Sequence, residues 1–412
     1  MRMSKKKEIV PKLRFPEFQG NSIDFVHGNR LFESITNKNH NSDLPILAIT
    51  QDQGAVPRDQ IEYNVTVTDK SLSNYKVVEV GDFIISLRSF QGGIEYSRFK
   101  GICSPAYIIL RKREENISEL YYKYFFKTWK YIQSLNRNLE GIRDGKMISY
   151  SQFSSVKVPY PRSFKEQQKI ADCLSSIDEL IDAETRKLTA LEKYKKGLMQ
   201  KLFPAEGKTL PECRFPEFQG CGEWKREEIG KIGEVITGKT PSTSDSALWD
   251  GDIQFVTPTD ITENKYQYHT QRTVVKTPKM KVLPKHTIMF TCIASIGKMA
   301  LSLYPCITNQ QINSIVPKSC YNNEFIYYSL LQKTFLIKAG FANSTLPIIN
   351  KTDFSKIQVP VILDKKEQQK IADCLSAIDT MITEQSNKVE QLKTHKKGLM
   401  QGLFPSLEEA DV

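Results

Sequence analysis

Lys165 to Pro204 reads KEQQKIADCLSSIDELIDAETRKLTALEKYKKGLMQKLFP, and Lys366 to Pro405 reads KEQQKIADCLSAIDTMITEQSNKVEQLKTHKKGLMQGLFP. The two stretches agree at 25 of 40 positions at an offset of 201 residues, far beyond chance. In the first, Ile170, Leu174, Ile177, Ile181, Leu188, Leu191, Leu198 and Leu202 fall on alternating steps of three and four. In the second, Ile371, Leu375, Ile378, Ile382, Val389, Leu392, Leu399 and Leu403 do the same. That spacing is the seam of a coiled coil, so each stretch is expected to be one long helix. Acids come early in each helix (Glu166, Asp172, Asp178, Glu179, Asp182, Glu184; Glu367, Asp373, Asp379, Glu384). Lysines come late (Lys193, Lys195, Lys196, Lys201; Lys393, Lys396, Lys397). Each polarity suits the dipole of its own helix. For a pair, parallel packing sets like charges side by side and antiparallel packing sets acid beside base. The expectation is an antiparallel coiled coil within one chain, a rod of roughly 50 Å for about 35 helical residues. Two globular domains would sit at its opposite ends, related by a pseudo-twofold axis.

Outward from the helices, the repeat continues. RFPEFQG occurs at 14–20 and again at 214–220, an offset of 200, and ISYSQFSSVKVP (148–159) is echoed by INKTDFSKIQVP (349–360). The chain is two copies of one unit of about 200 residues, and a period this long means duplicated domains rather than a solenoid. Before each helix lie short strand-like runs such as 82–86, 106–110 and 287–290, punctuated by Gly, Pro, Asn and Asp. Helix is expected in the aromatic stretch 120–132 and its counterpart 324–337, with the aromatics in the core. The fold class is therefore α+β. The domain boundaries fall at 1–161, 162–204 (central helix), 205–362 and 363–412 (C-terminal helix).

The composition agrees. The 412 residues carry 58 Lys plus Arg against 47 Asp plus Glu, a net charge of +11, with 40% apolar and 25% charged residues. These are the proportions of an ordinary globular protein, not of a disordered chain or a disulfide scaffold. No run approaches the 18 or more apolar residues of a membrane span. The start, MRMSKKK, leads into charged sequence, so a cytoplasmic protein is expected. Eight cysteines without a C-x-x-C pair and five scattered histidines predict small buried thiols and no metal site.

Motifs that mimic catalysis do not survive inspection of their context. Gly233–Thr240 matches G-x-x-x-x-G-K-[ST], which needs a buried strand before it and a helix after it to cradle phosphate. Here a poor buried strand precedes it and PSTSD follows. Asp252 and Glu263-Asn-Lys265 fit a nuclease's D…E-x-K arrangement only loosely. No two prolines are adjacent, so the Asn/Asp-Pro-Pro-aromatic motif of an adenine methyltransferase is absent. No catalytic residue is assigned.

The positive charge is localised instead. Between Lys265 and Lys351 there are eleven basic residues and a single acid, Glu324; between Lys70 and Phe164 there are sixteen basic against eight acidic. The repeated helices are nearly neutral, so the surplus belongs to the globular parts and points to a polyanion. Reading bases needs side chains that donate and accept hydrogen bonds in a fixed geometry. The first domain offers Thr50, Gln51 and Asp52, then Arg88, Ser89 and Gln91, and then Arg143 and Lys146. The second offers Lys239, Thr240, Thr259, Asp260, Ser295, Lys298, Asn309, Gln310, Gln311, Asn343 and Ser344. The two sets match in chain position and differ in residues, so two such domains would read two different short sequences.

The RFPEF segments, the EQQKIADCL…IDELI helices and the stretches GKTPS (238–242) and WDGDIQFVTPTDI (249–261) resemble the specificity (S) subunits of type I restriction–modification enzymes. The resemblance covers essentially the whole chain. It implies an adaptor without a cofactor of its own, whose two target-recognition domains each read one half of an asymmetric bipartite site in double-stranded DNA. It also implies partners: two modification subunits that bind S-adenosylmethionine and methylate adenine, and two restriction subunits that use ATP and Mg2+. The antiparallel helices would then act as a ruler, with half-sites on one face of B-DNA about one turn, roughly 34–36 Å, apart. The first domain has no counterpart of residues 238–242, and base-contacting residues do not transfer one by one. Two other readings stand beside this one: a basic adaptor that binds acidic proteins without reading DNA, and an enzyme using the 233–240 loop for a nucleotide.

Overall fold

The computed structural model describes residues 10–41, 43–61, 72–137, 148–278, 280–293, 295–341 and 348–405, with side chains 335–341 left aside. The two repeated stretches are single helices, Phe164–Leu202 and Lys365–Leu403. Ser163 and Asp364 stand before them as caps: Ser163 Oγ accepts from Glu166 N at 3.4 Å, and Asp364 Oδ1 accepts from Lys366 N at 2.8 Å. No seam residue of either helix is exposed.

The chain divides into two compact units, Met1–Ala183 with Val389–Val412, and Glu184–Lys388. The division cuts each long helix near its middle, so every unit holds the early half of one helix and the late half of the other. In the first unit Ile170 and Leu174 share a core with Leu403 and Phe404. In the second, Ile371 and Leu375 share one with Leu202 and Phe203. Early half therefore packs on late half, and the ion pairs follow: Lys396 Nζ meets Asp178 Oδ1 at 2.5 Å in the first unit, and Lys195 Nζ meets Asp379 Oδ1 at 2.5 Å in the second. The 201-residue offset maps one pair onto the other. Within each unit the helices run antiparallel, with acid beside base. Glu184 adds a junction in the second unit, accepting from Gln385 Nε2 at 2.6 Å and Lys388 Nζ at 2.5 Å.

The RFPEF segments explain themselves here. Arg14 grips Glu166 through two bonds (Nε to Oε1 2.8 Å, Nη2 to Oε2 3.0 Å), and Arg214 grips Glu367 in the same way at 2.8 and 2.7 Å. Lys169 pairs with Glu17 at 2.6 Å and Lys370 with Glu217 at 3.3 Å, so the two repeated motifs bind one another in each unit. The glutamine after each buried glutamate closes the turn into the globular part. Gln167 accepts from Ser118 N and donates to Pro161 O; Gln368 accepts from Asn322 N and donates to Ile362 O.

Each globular part is closed by its first and last strands. Ile23–His27 runs antiparallel to Lys157–Pro161, and Lys225–Glu228 to Gln358–Val361, so the chain returns to its starting point as the helix begins. Between them the first unit has an antiparallel sheet ordered Phe32–Ile35, Ile108–Lys112, Phe83–Ile85, Glu95–Tyr96. Leu47–Thr50 pairs with Gly54–Pro57, and Lys76–Val78 with Gly101–Cys103. The second unit has a five-stranded sheet ordered Gly233–Thr237, Ile312–Pro317, Ile288–Thr291, Met299–Ser302, Tyr266–Gln267. Its three-stranded neighbour sets Trp249–Val256 between Arg272–Val274 and Cys306–Thr308.

The aromatic stretches are core: Tyr121, Tyr122, Phe125, Phe126, Phe325 and Tyr328 are all fully buried. The first of them is not one helix. Glu119–Phe125 and Trp129–Arg137 are separate, because Thr128 turns back and gives both its N–H (2.9 Å) and its Oγ1 (2.7 Å) to Phe125 O. Its counterpart, Asn323–Phe341, runs unbroken.

Candidate nucleic-acid interface

In the second unit the candidate residues gather at one end of the strands. Thr237 pairs with Asn313, Thr291 with Ile312, and Val256 with Thr308, so the segments following 237, 256, 291 and 308 emerge together. Gly238 N donates to Ile312 O at 3.1 Å, and a Cβ at Gly238 would lie 2.1 Å from Asn309 O and 2.2 Å from Thr308 O. Two turns press on each other there, and only glycine fits. Thr240 Oγ1 then reaches Gln310 Oε1 at 2.6 Å, while Cys292 N donates to Gln311 O at 2.8 Å and Asn309 N to Val256 O at 3.0 Å. The 238–240 segment, the 309–311 turn, residues 291–293 and 295–298 and the 257–260 loop thus form one surface.

Their side chains divide into two kinds. Asp260 is consumed by its own loop, accepting from Thr257 N (2.8 Å), Thr257 Oγ1 (2.6 Å) and Gln271 N (2.9 Å). Asn309 is buried and spends its amide on Gln311, accepting from its N–H at 3.1 Å and donating to its Oε1 at 3.0 Å. Ser295 is held by its backbone, its carbonyl accepting from Thr291 Oγ1 at 2.5 Å. Lys239, Thr259, Lys298 and Gln310 are exposed, with Thr259 Oγ1 2.8 Å from Thr257 Oγ1 and Gln310 Oε1 accepting from Thr240 Oγ1. A hollow of about 700 Å3 with an apolar floor (Ile236, Leu248, Met280, Leu283) opens beside Lys239 and Lys281.

The first unit brings two loops together in the same manner. Thr50 is turn chemistry, with Oγ1 donating to Gly54 O at 3.0 Å and accepting from Gln53 N at 3.1 Å. Ser89 is buried and its Oγ accepts from Ser86 N at 2.8 Å. Gln51, Asp52, Arg88 and Gln91 are exposed. Lys127, which sequence reasoning passes over as one lysine in an aromatic stretch, donates to Gln51 O and Gly92 O, both at 3.0 Å. Arg143, Lys146, Asn343 and Ser344 lie outside the described residues.

The catalytic look-alikes come apart. Gly233–Thr237 is an edge strand whose ladder runs from Gly233↔Pro317 to Thr237↔Asn313, and residues 238–242 continue without opening a helix, so the turn that would cradle a phosphate is not formed. Lys265 Nζ is bound to Ser376 Oγ at 2.7 Å and Glu324 Oε2 at 3.2 Å, against the second long helix. Burial pushes the thiols of Cys103 and Cys306 up to about 12 and that of Cys292 to about 11, which makes them inert apolar fillers, whereas Cys213, Cys221 and Cys320 are exposed, contrary to the expectation of buried thiols. Among the described residues no three His, Cys, Asp or Glu are grouped to hold a metal, and no helix is long and apolar enough to cross a membrane.

Residues 23–193 and 222–393 each match the type I restriction modification DNA specificity domain family. The chain belongs to that family. It carries two copies of the specificity domain, each match beginning near the opening strand of a globular part and ending within the helix that follows. The MjaIX specificity subunit of a type I restriction enzyme from Methanocaldococcus jannaschii is 32% identical over 194 residues, 45% of each chain. A putative MjaX specificity subunit from the same organism is 26% identical over 300 residues, 71% of this chain and 69% of that one. The specificity-domain chain thus matches about half the length of the first relative and two thirds of the second. The crystal structure of a type I restriction–modification S subunit from M. genitalium has the same fold, with a TM-score of 0.58 at 16% identity over 96% of this chain and 99% of that one.

Gly238→Ala tests the pressed turns of the second specificity domain. A methyl group set against two backbone carbonyls is expected to cost about 1–3 kcal/mol of stability in urea unfolding, the usual range for overpacking. Gly197→Ala is the control: nothing lies within 4 Å of its Cβ, and it sits inside a helix. It should be neutral or stabilising by about 0.5–1 kcal/mol.

Proposed function

We propose that this chain is the DNA sequence-specificity subunit of a type I restriction–modification complex, a non-catalytic part that reads one asymmetric bipartite site in double-stranded DNA. The observation that carries this reading is the pairing of two specificity domains, each with one loop cluster, whose exposed side chains differ. The first presents Gln51, Arg88 and Gln91, and the second presents Lys239, Thr259, Lys298 and Gln310. Arg, Lys and Gln are the groups that pair with guanine and adenine edges in the major groove, and lysines also meet phosphate. Different readers on a common frame give two different half-sites. Modification subunits supplying S-adenosylmethionine and methylating adenine, and restriction subunits supplying ATP hydrolysis with Mg2+, are the proposed partners. Neither chemistry has residues assigned to it on this chain.

The test is binding of a cognate duplex by the chain assembled with its modification partner, in competition with random duplex. Cognate binding should survive an excess of random competitor, and both should weaken steeply with salt. For six to ten phosphate contacts, affinity falls about 10³–10⁵-fold between 50 and 200 mM salt. Retention of neither duplex, with an acidic polypeptide bound in their place, would establish the protein-binding adaptor instead.

A further inference from the structure

We propose that Lys127 is the positioning residue of the first recognition domain, setting its two reading loops in register and thereby the stringency of one half-site. The proposal rests on the reading of those loops as the DNA interface. Lys127 lies in the turn between helices Glu119–Phe125 and Trp129–Arg137. Its ammonium has three donors, and all three are engaged: Gln51 O at 3.0 Å, Gly92 O at 3.0 Å and Glu95 Oε1 at 2.5 Å. Gln51 follows the strand Leu47–Thr50, and Gly92 closes the short helix Ser89–Gly92 that carries Gln91 just after Arg88. One cation thus joins two loops, 41 residues apart in sequence, through main-chain carbonyls. That leaves the side chain of Gln91 outside its bonds, while Gln51 Nε2 donates to Arg88 O at 3.5 Å and adds to the contact between the loops.

Two further observations show that the junction is built. A Cβ on Gly92 would stand 2.8 Å from the Gln51 side chain, so the loops already touch. Asn136 Nδ2 donates to Phe90 O at 2.7 Å and braces the second loop from the helix behind it. Glu95 is 2% exposed. Its burial pushes the carboxyl up to about 7, while the adjacent Lys127 ammonium opposes that shift. The buried carboxyl in turn holds the half-buried ammonium against the two loops.

Among the described residues the second unit has no such device. Tyr124 and Tyr328 occupy equivalent places, bonded to Asp178 and Asp379, so Leu331 stands where Lys127 does. There the loops are joined by their own bonds, Thr240 to Gln310 and Cys292 to Gln311. The effect of changing Lys127 should therefore fall on one half-site alone.

The experiment maps methylated sites for the full chain with its modification partner, using a library randomised in both half-sites. Lys127→Met is expected to lower discrimination in the half-site read by the first domain about tenfold, the worth of one misplaced bidentate base contact, and to leave the other half unchanged. If Lys127→Met does not accumulate, Glu95→Gln probes the same junction with an isosteric side chain, and the same half-site should relax. A lowered thermal midpoint with both half-sites equally stringent would overturn the proposal and leave Lys127 as a core ion pair. The double change Arg88→Ala with Gln91→Ala separates the two levels of inference. If it relaxes the half-site while Lys127→Met does not, positioning is wrong and the location of the interface stands. If it leaves the half-site intact, the interface itself lies elsewhere and the proposal falls with it.

Discussion

Exchanging residues 221–362 for the same segment of another member of this family is expected to replace one half of the methylated site entirely and leave the other half as it was. The exchange is clean because its junctions fall in the repeated frame. Arg214 and Glu367 both lie outside the segment, so their paired bonds survive. The opening strand Lys225–Glu228 and the closing strand Gln358–Val361 travel together inside it, so their ladder survives as well. What the new domain must supply is the set of contacts that face the helices. Phe325 stacks on Phe203 at 5.6 Å, and Tyr328 donates to Asp379 at 2.5 Å. A donor with aromatic residues at these two positions is expected to assemble with full activity, and one without them to lose stability first. The measurement is the adenine methylation map of a host expressing the chimera with its modification partner. A map altered in both halves would mean that the two domains do not read independently.

How much of this was legible beforehand depended on whether a residue's job is periodic or particular. The apolar faces of the two long helices announce themselves, because a helix repeats its face every three or four positions and the duplication displays the pattern twice. The antiparallel sense was readable from charge order for the same reason, and Lys396–Asp178 and Lys195–Asp379 realise it. The partnership of RFPEF with EQQK also has a signal in the sequence: both segments recur at nearly the same offset, as two surfaces must if each is kept for the other. The candidate loops rest on composition alone, and composition does not say where a side chain's hydrogen bonds go. Thr50, Ser89, Asp260 and Asn309 look like base readers, yet each spends its polar atoms on the turn that holds it. Turn chemistry and base chemistry use the same residue types, so only coordinates separate them. Lys127 shows the converse. A lysine among aromatics has no pattern, and its three acceptors come from two loops and a strand distant in sequence.

Removing the guanidinium of Arg214 is expected to be among the most damaging single changes in the second unit. Glu367 is 0% exposed and its carboxylate takes both of its charge-assisted bonds from Arg214. The same guanidinium holds the turn that follows RFPEF, donating to Cys221 O at 2.7 Å and Gly222 O at 3.1 Å. Arg214→Ala therefore strands a buried charge and frees a turn, and breaking such a pair costs about 3–5 kcal/mol. Against a typical domain stability of about 5–15 kcal/mol that is a large share. The double change Arg214→Met with Glu367→Leu removes both charges and should recover much of the loss, since the desolvation cost goes with them. Urea unfolding of the single and double variants checks this. A loss below about 1 kcal/mol, the range of an exposed pair, would show that the pair is not the clamp between the two repeated motifs. Arg14→Ala should reproduce the same behaviour in the first unit, because Glu166 is equally enclosed and Arg14 is its bidentate partner.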